Sequence, residues 1–125
     1  MATRFEAIAG NAIGYIAGSG ASVTQETNKR TTVTINAPCG LITSADSELT
    51  AGQNNSFQVN NSFISANDVV IVNHGVGTGA NDNAYYVHAN TFAEGQFRIS
   101  ILSISADAKT DAIDITFIIL KAARD

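Results

Sequence analysis

Two C-terminal runs set the strongest constraint on what this chain can fold into. Gln96 to Ile104 places Phe97, Ile99 and Ile101 at alternate positions, with Arg98 and Ser100 between them. Ala112 to Lys121 does the same with Ile113, Ile115, Phe117 and Ile119 against Asp114 and Thr116. Successive side chains of a strand point to opposite faces, so a period of two gathers the apolar residues on one face. Toward the end of the second run Ile118 and Leu120 make both faces apolar.

The same signal recurs upstream. Thr32 to Ile35 and Asn55 to Asn60 alternate polar and apolar, and Gly40 to Ser44 is a further short run. Ala84 to Thr91 sets Tyr85, Val87 and Ala89 against Tyr86, His88 and Asn90. Asp68 to Asn73 is apolar on both faces, which predicts a central strand whose second face is covered by a neighbour or a partner subunit. Val, Ile, Thr, Phe and Tyr dominate these runs, as pleated half-buried surfaces favour. Between them lie turn formers: Thr27–Arg30, Ala51–Asn54, Gly75–Asn83, Ala93–Gly95 and Ala106–Asp111. A short helical turn is expected over Ser44–Leu49. About eight strands at this spacing predict one all-β, antiparallel β-sandwich or barrel.

The first twenty residues differ. They are rich in Ala, Gly and Ile, and Gly10, Gly14, Gly18 and Gly20 weaken any long helix. We expect a short N-terminal arm over residues 1–11, ordered by packing on a neighbouring subunit, and a sandwich domain over residues 12–125. The 125 residues suit one domain and can enclose a core without metals or disulfides. No stretch forms an export signal or approaches the length of a transmembrane helix, which predicts a soluble protein.

Composition narrows function more than fold. Only 14% of residues are charged, against about 25% in typical soluble domains. The polar remainder is mostly Ser, Thr, Asn and Gln, a surface suited to being covered by partners or to a very stable β-protein. The net charge of −4 argues against sequence-independent nucleic-acid binding, which needs cations to displace counterions. Lys29-Arg30 is the one adjacent basic pair and is expected to be a solvated tip. Cys39 is the sole cysteine, so no intrachain disulfide forms, and between Pro38 and Gly40 it is expected to pack as a small apolar residue.

No catalytic constellation stands out. Gly75, Gly77 and Gly79 have neither the lysine of a phosphate-binding loop nor a helix after them, so 75–83 reads as a hairpin loop. His74 and His88 flank it and could face each other across the hairpin, with Asp82 as a third metal ligand. Two histidines without a tight motif more often are strand residues. Asp107 and Asp111 are expected to be solvated turn residues, and no nucleophile elbow is present. The chain is expected to be non-enzymatic, with no cofactor and no metal.

The segment "GYIAGSGASVTQETNKRTTVTINAPCGLIT", residues 14 to 43, resembles a segment of tailed-bacteriophage virion proteins. "SFQVNNSFISANDVVIVNH" and "EGQFRISILSISADAKTDAIDITFIILKA" are similar to the rest of that family, over about residues 12 to 122. Ala21 stands where a second glycine is usual. The resemblance implies a β-sandwich of jelly-roll type on the virion exterior, used as a head decoration (cement) protein or as a terminal domain of tail fibres and spikes. It carries no catalytic residues.

A chain that opens at Met1 with only a short arm fits a free-standing decoration protein better than a fibre tip, which ends a long stalked chain. Its expected partners are the major capsid protein and sister copies in a homotrimer or homodimer, with no direct nucleic acid and no membrane. Its expected place is the outside of the capsid, after synthesis in the bacterial cytoplasm. The candidate capsid or subunit contacts are Phe5, Ile8, Ile13, Tyr15 and Ile16 of the arm. A glycan-binding tail head would instead use Asn81, Asp82, Asn83, Tyr86 and His88.

Overall fold

The computed structural model describes residues 6–8, 12–76 and 84–122. These form ten strands: β1 Glu6–Ile8, β2 Ala12–Gly14, β3 Gly20–Thr24, β4 Val33–Thr34, β5 Cys39–Thr43, β6 Asn54–Asn60, β7 Val69–Val76, β8 Tyr85–Ala93, β9 Gln96–Ser103 and β10 Ile113–Leu120. No α-helix occurs among the described residues. β1 and β2 make a two-stranded ribbon, and the other eight strands make two four-stranded sheets. The first sheet runs β3-β5-β10-β7 and the second β4-β6-β9-β8.

The alternating runs become the strands that line the core. From the first sheet, Ile42, Ile113, Ile115, Phe117 and Ile119 are buried; from the second, Phe57, Val59, Phe97, Ile99 and Ile101. The rings of Phe97 and Phe117 meet across the core with centroids 6.0 Å apart and planes tilted by 51°, a geometry that aromatic quadrupoles favour. The all-β sandwich is therefore as the periodicity requires.

The sheets are mixed rather than wholly antiparallel. β10 pairs antiparallel with β5 and β7, and β9 pairs antiparallel with β6 and β8. β3 lies parallel to β5, and β4 parallel to β6. The cause is the path of the chain. From β3 to β6 it alternates between layers, so each second strand returns to its own sheet in the same direction. These ladders do not establish jelly-roll connectivity.

Three local expectations need correction. β7 is an edge strand, not a central one: Val70 and Val72 pack against the core, whereas Val69 and Ile71 face outward. β7 and β8, expected to form a hairpin through 75–83, belong to different sheets and do not pair; residues 77–83 lie outside the described residues. Ser44–Leu49 forms no helical turn; Leu49 instead bridges Lys109 through reciprocal backbone hydrogen bonds of 2.8 and 2.9 Å, with its side chain fully buried.

Lys29 is also not a solvated tip. Asn28 and Thr31 close the expected polar turn, with the Arg30 amide donating to Asn28 Oδ1 at 2.8 Å. Arg30 remains exposed, but the turn drives Lys29 inward until none of it is accessible. Its ammonium donates to the carbonyls of Ala45 and Ser47, each at 2.6 Å, and its amide donates to Ser47 Oγ. Burial lowers its pKa, an effect opposed by the charges of Asp111 and Asp46.

Asp111 has a partner as well, because the Tyr85 hydroxyl donates to its Oδ2 at 2.6 Å. Burial, and then the hydrogen bond and charge of Asp111, push the Tyr85 pKa well above its ordinary value. An unfolded tyrosine ionises near pH 10. Above that pH the unfolded chain sheds a proton that folded Tyr85 keeps, so the stabilisation present below pH ~10 is lost as pH rises. Tyr85→Phe should flatten the alkaline limb of an unfolding-stability curve relative to wild type. An unchanged limb would show that Tyr85 does not carry it.

Candidate binding faces

With both inner faces closed into the core, the broadest surfaces that the described residues leave for recognition are the two outer faces. They differ in chemistry because the residues between the core positions differ.

On the first sheet, strand register brings Cys39, Ile118 and Ile71 abreast on β5, β10 and β7. Leu120 and Val69 form the next pair, and Leu41 lies beside Thr116. Gly20, Ser22, Cys39, Leu41 and Ile118 line a shallow, mostly apolar depression at the β3 side. Val69 and Ile71 are 48% and 47% exposed. At the other end of this face the surface turns polar, where the Thr43 hydroxyl donates to Asp114 at 2.9 Å.

The arm-side residues join this face. The Tyr15 hydroxyl donates to the carbonyl of Ile119 on β10. Burial raises the Tyr15 pKa, and nearby Cys39 and Asp68 add to the shift. Tyr15 thus fastens its segment to the end of β10 that carries Ile118 and Leu120. Ile13 and Ile16, on either side of it in sequence, are 69% and 64% exposed. Ile8 belongs to β1, which pairs with β2; its side chain, and Phe5, lie outside the described residues. Cys39 is half-buried on the same face, and burial raises its thiol pKa, as expected for a packing residue rather than a nucleophile.

The second sheet's outer face is polar. Tyr86, His88 and Asn90 of β8 lie opposite Leu102, Ser100 and Arg98 of β9. The Tyr86 ring is exposed and tilts 34° against His88 with centroids 5.6 Å apart. Asn90 donates to Ser100 Oγ at 3.0 Å, Arg98 Nε to Ser56 Oγ at 3.0 Å, and Gln58 to Asn60 Oδ1 at 2.7 Å. His88 Nδ1 is buried without a hydrogen-bond partner among the described residues.

Tyr86 and His88, singled out from the sequence, therefore do adjoin. Asn81, Asp82 and Asn83 lie outside the described residues. His74 and His88 do not face each other across a hairpin: His74 pairs with Ile115 in the first sheet, on the inward register, and His88 lies on the outer face of the second. Among the described residues no three His, Cys, Asp or Glu side chains cluster as metal ligands. Sequence reading passed over the apolar row Cys39–Ile118–Ile71. Its one signal was the two-sided apolar character of residues 69–72 and 117–120. No protein-family model, curated protein or solved structure matches the chain.

Proposed function

We propose that this chain is a structural virion protein, a bacteriophage head decoration (cement) protein that binds the outer surface of the capsid and stabilises the shell. The observation that carries this reading is the apolar outer face of the first sheet. Of the six large apolar side chains found exposed among the described residues, Val69 and Ile71 lie on that face, and Ile13 and Ile16 flank the tyrosine that is tied to it. Exposed apolar surface that stays contiguous marks a contact with another macromolecule. The resemblance of residues 14–43 to virion proteins supports a protein shell as the partner, and the jelly-roll connectivity belongs to the same proposal.

The rest of the chemistry agrees. A surface of amides and hydroxyls with few charges suits many copies crowded on one particle. No helix among the described residues is long and apolar enough to cross a membrane. A cement protein stabilises by binding only the assembled state, so its effect follows mass action. A specific contact of this kind buries about 1,000 Å² or more.

The test uses Leu41→Lys, which places a charge in the apolar depression next to the Cys39–Ile118–Ile71 row, and Gln58→Lys on the opposite face as control. Binding to shells lacking the protein should fall by roughly 100-fold for Leu41→Lys, the effect of an unpaired charge carried into an apolar contact, and stay unchanged for Gln58→Lys. Equal binding by both variants would rule out the first sheet as the attachment face.

The second sheet supports a different reading, a glycan-binding head of a tail fibre or spike. The observation in its favour is the exposed Tyr86 ring beside His88, bordered by Asn90, Arg98 and Gln58. Glycan-array or cell-adsorption binding that vanishes in Tyr86→Ala would favour it over capsid attachment.

A further inference from the structure

We propose that two copies of this chain pair along β7, edge to edge and antiparallel, to make one continuous eight-stranded sheet about a two-fold axis at Ile71. The proposal rests on the homodimer or homotrimer expected of such a virion protein and names the strand that makes the contact.

The argument begins with the sheet edges. An edge strand offers unpaired N–H and C=O groups to any passing strand, and proteins guard edges with shortness, bulges, charges or proline. β4 has two residues, too short to template another strand. β8 is broken by a register shift between Asn90 and Ala93, next to Thr91 at φ 54°. β3 has five residues, and two of them are glycine and alanine. β7 has none of these guards. It runs eight residues, VVIVNHGV, without a charge or a proline, and keeps unbroken register with β10 from Val69 to Val76. Among the described residues its backbone bonds run to β10 alone.

The occupant follows from self-complementarity. β7 on β3 of another copy would pair head to tail and grow an open filament, whereas β7 on β7 closes at two. Centring the axis on Ile71 sets Ile71 against itself and Val70 against Val72 of the other copy. Residues Val69 to Asn73 of each copy then pair with no charged side chain among them, since Asp68, just before the strand, is buried and held by Lys121 at 2.7 Å within its own copy. The Ile71 pair joins the rows Cys39–Ile118–Ile71 of both copies into one apolar band. Two attachment faces then lie side by side, and a shell that engages both gains from their linkage.

Sedimentation over a micromolar concentration series reads the mass directly. Wild type should run at twice the 13.0 kDa protomer. Ile71→Lys brings two ammonium groups together on the axis and should weaken self-association by roughly 100-fold or more, giving protomers. Leu41→Lys, which lies on the face and not at the edge, should remain dimeric even where it no longer binds shells, so the two proposals fail separately. A monomeric wild type, filaments, or a dimeric Ile71→Lys would overturn the pairing. Ile71→Cys in a Cys39→Ser background covers the case in which Ile71→Lys fails to fold. Its thiols should cross-link between copies under mild oxidation, because opposed residues of antiparallel strands lie within disulfide reach. No cross-linking would contradict the axis.

Discussion

Lys29→Ala should lower the unfolding free energy by about 3–5 kcal/mol, the combined cost of taking the ammonium donor from two buried carbonyls and of the gap where the stem packed. A domain of this size holds roughly 5–15 kcal/mol in all, so this substitution removes a large fraction of its stability. The reasoning starts from burial: no part of Lys29 is accessible, and its ammonium holds the Ala45 and Ser47 carbonyls at 2.6 Å each. Alanine leaves both carbonyls without that donor, and an unpaired buried polar group costs about 1–3 kcal/mol. It also leaves a gap where the lysine stem packed.

Lys29→Met separates the two contributions, because it keeps the stem and removes only the donor. It should recover part of the loss and no more. Denaturant unfolding that returns the same midpoint for alanine and wild type would mean that the 25–31 turn can swing Lys29 out to solvent at no cost.

Gly40→Val should destabilise by about 3 kcal/mol, the upper end for overpacking a filled interior. A side chain at Gly40 would place its Cβ 2.2 Å from the Ala21 carbonyl oxygen and 3.1 Å from Ile35 Cδ1. The first contact is with backbone, so no rotamer change relieves it. β3 must move away from β5, and the five-residue parallel ladder from Gly20–Cys39 to Thr24–Thr43 opens. Hydrogen exchange should then quicken at β3 amides before those of β9 and β10. Uniform protection in the variant would show that the strand can shift without losing its pairing.

Those two sites mark where sequence reading was informative and where it was not. The strands of the core were legible, because Phe97, Ile99 and Ile101, and Ile113 through Ile119, alternate without interruption, and period two has one structural meaning. Strand partners were not. β4 is only two residues long, and whether it and β3 pair parallel or antiparallel depends on a path that switches layers, which no local pattern records. The same switching hid the fact that β7 and β8 belong to different sheets, which removes the possibility that His74 and His88 face each other across a hairpin. Lys29 was missed because its partners lie 16 and 18 residues away, while Asn28 and Thr31 made the turn look solvent-facing. The Tyr86–His88 pair was legible, since residues two apart in a strand share a face. The apolar row across β5, β10 and β7 was half legible: two-sided strands announced a covered second face, but the register that aligns Cys39, Ile118 and Ile71 comes only from the sheet.

The central claim is that this protein sits on a virion head through the first sheet's outer face. The most direct measurement is imaging of intact virions from cells carrying this gene, with the protein labelled through a polar residue of the second sheet such as Gln58. The account predicts label distributed over the head surface, lost when Leu41→Lys replaces wild type. Label confined to the tail tip, or no label on the particle, would contradict it.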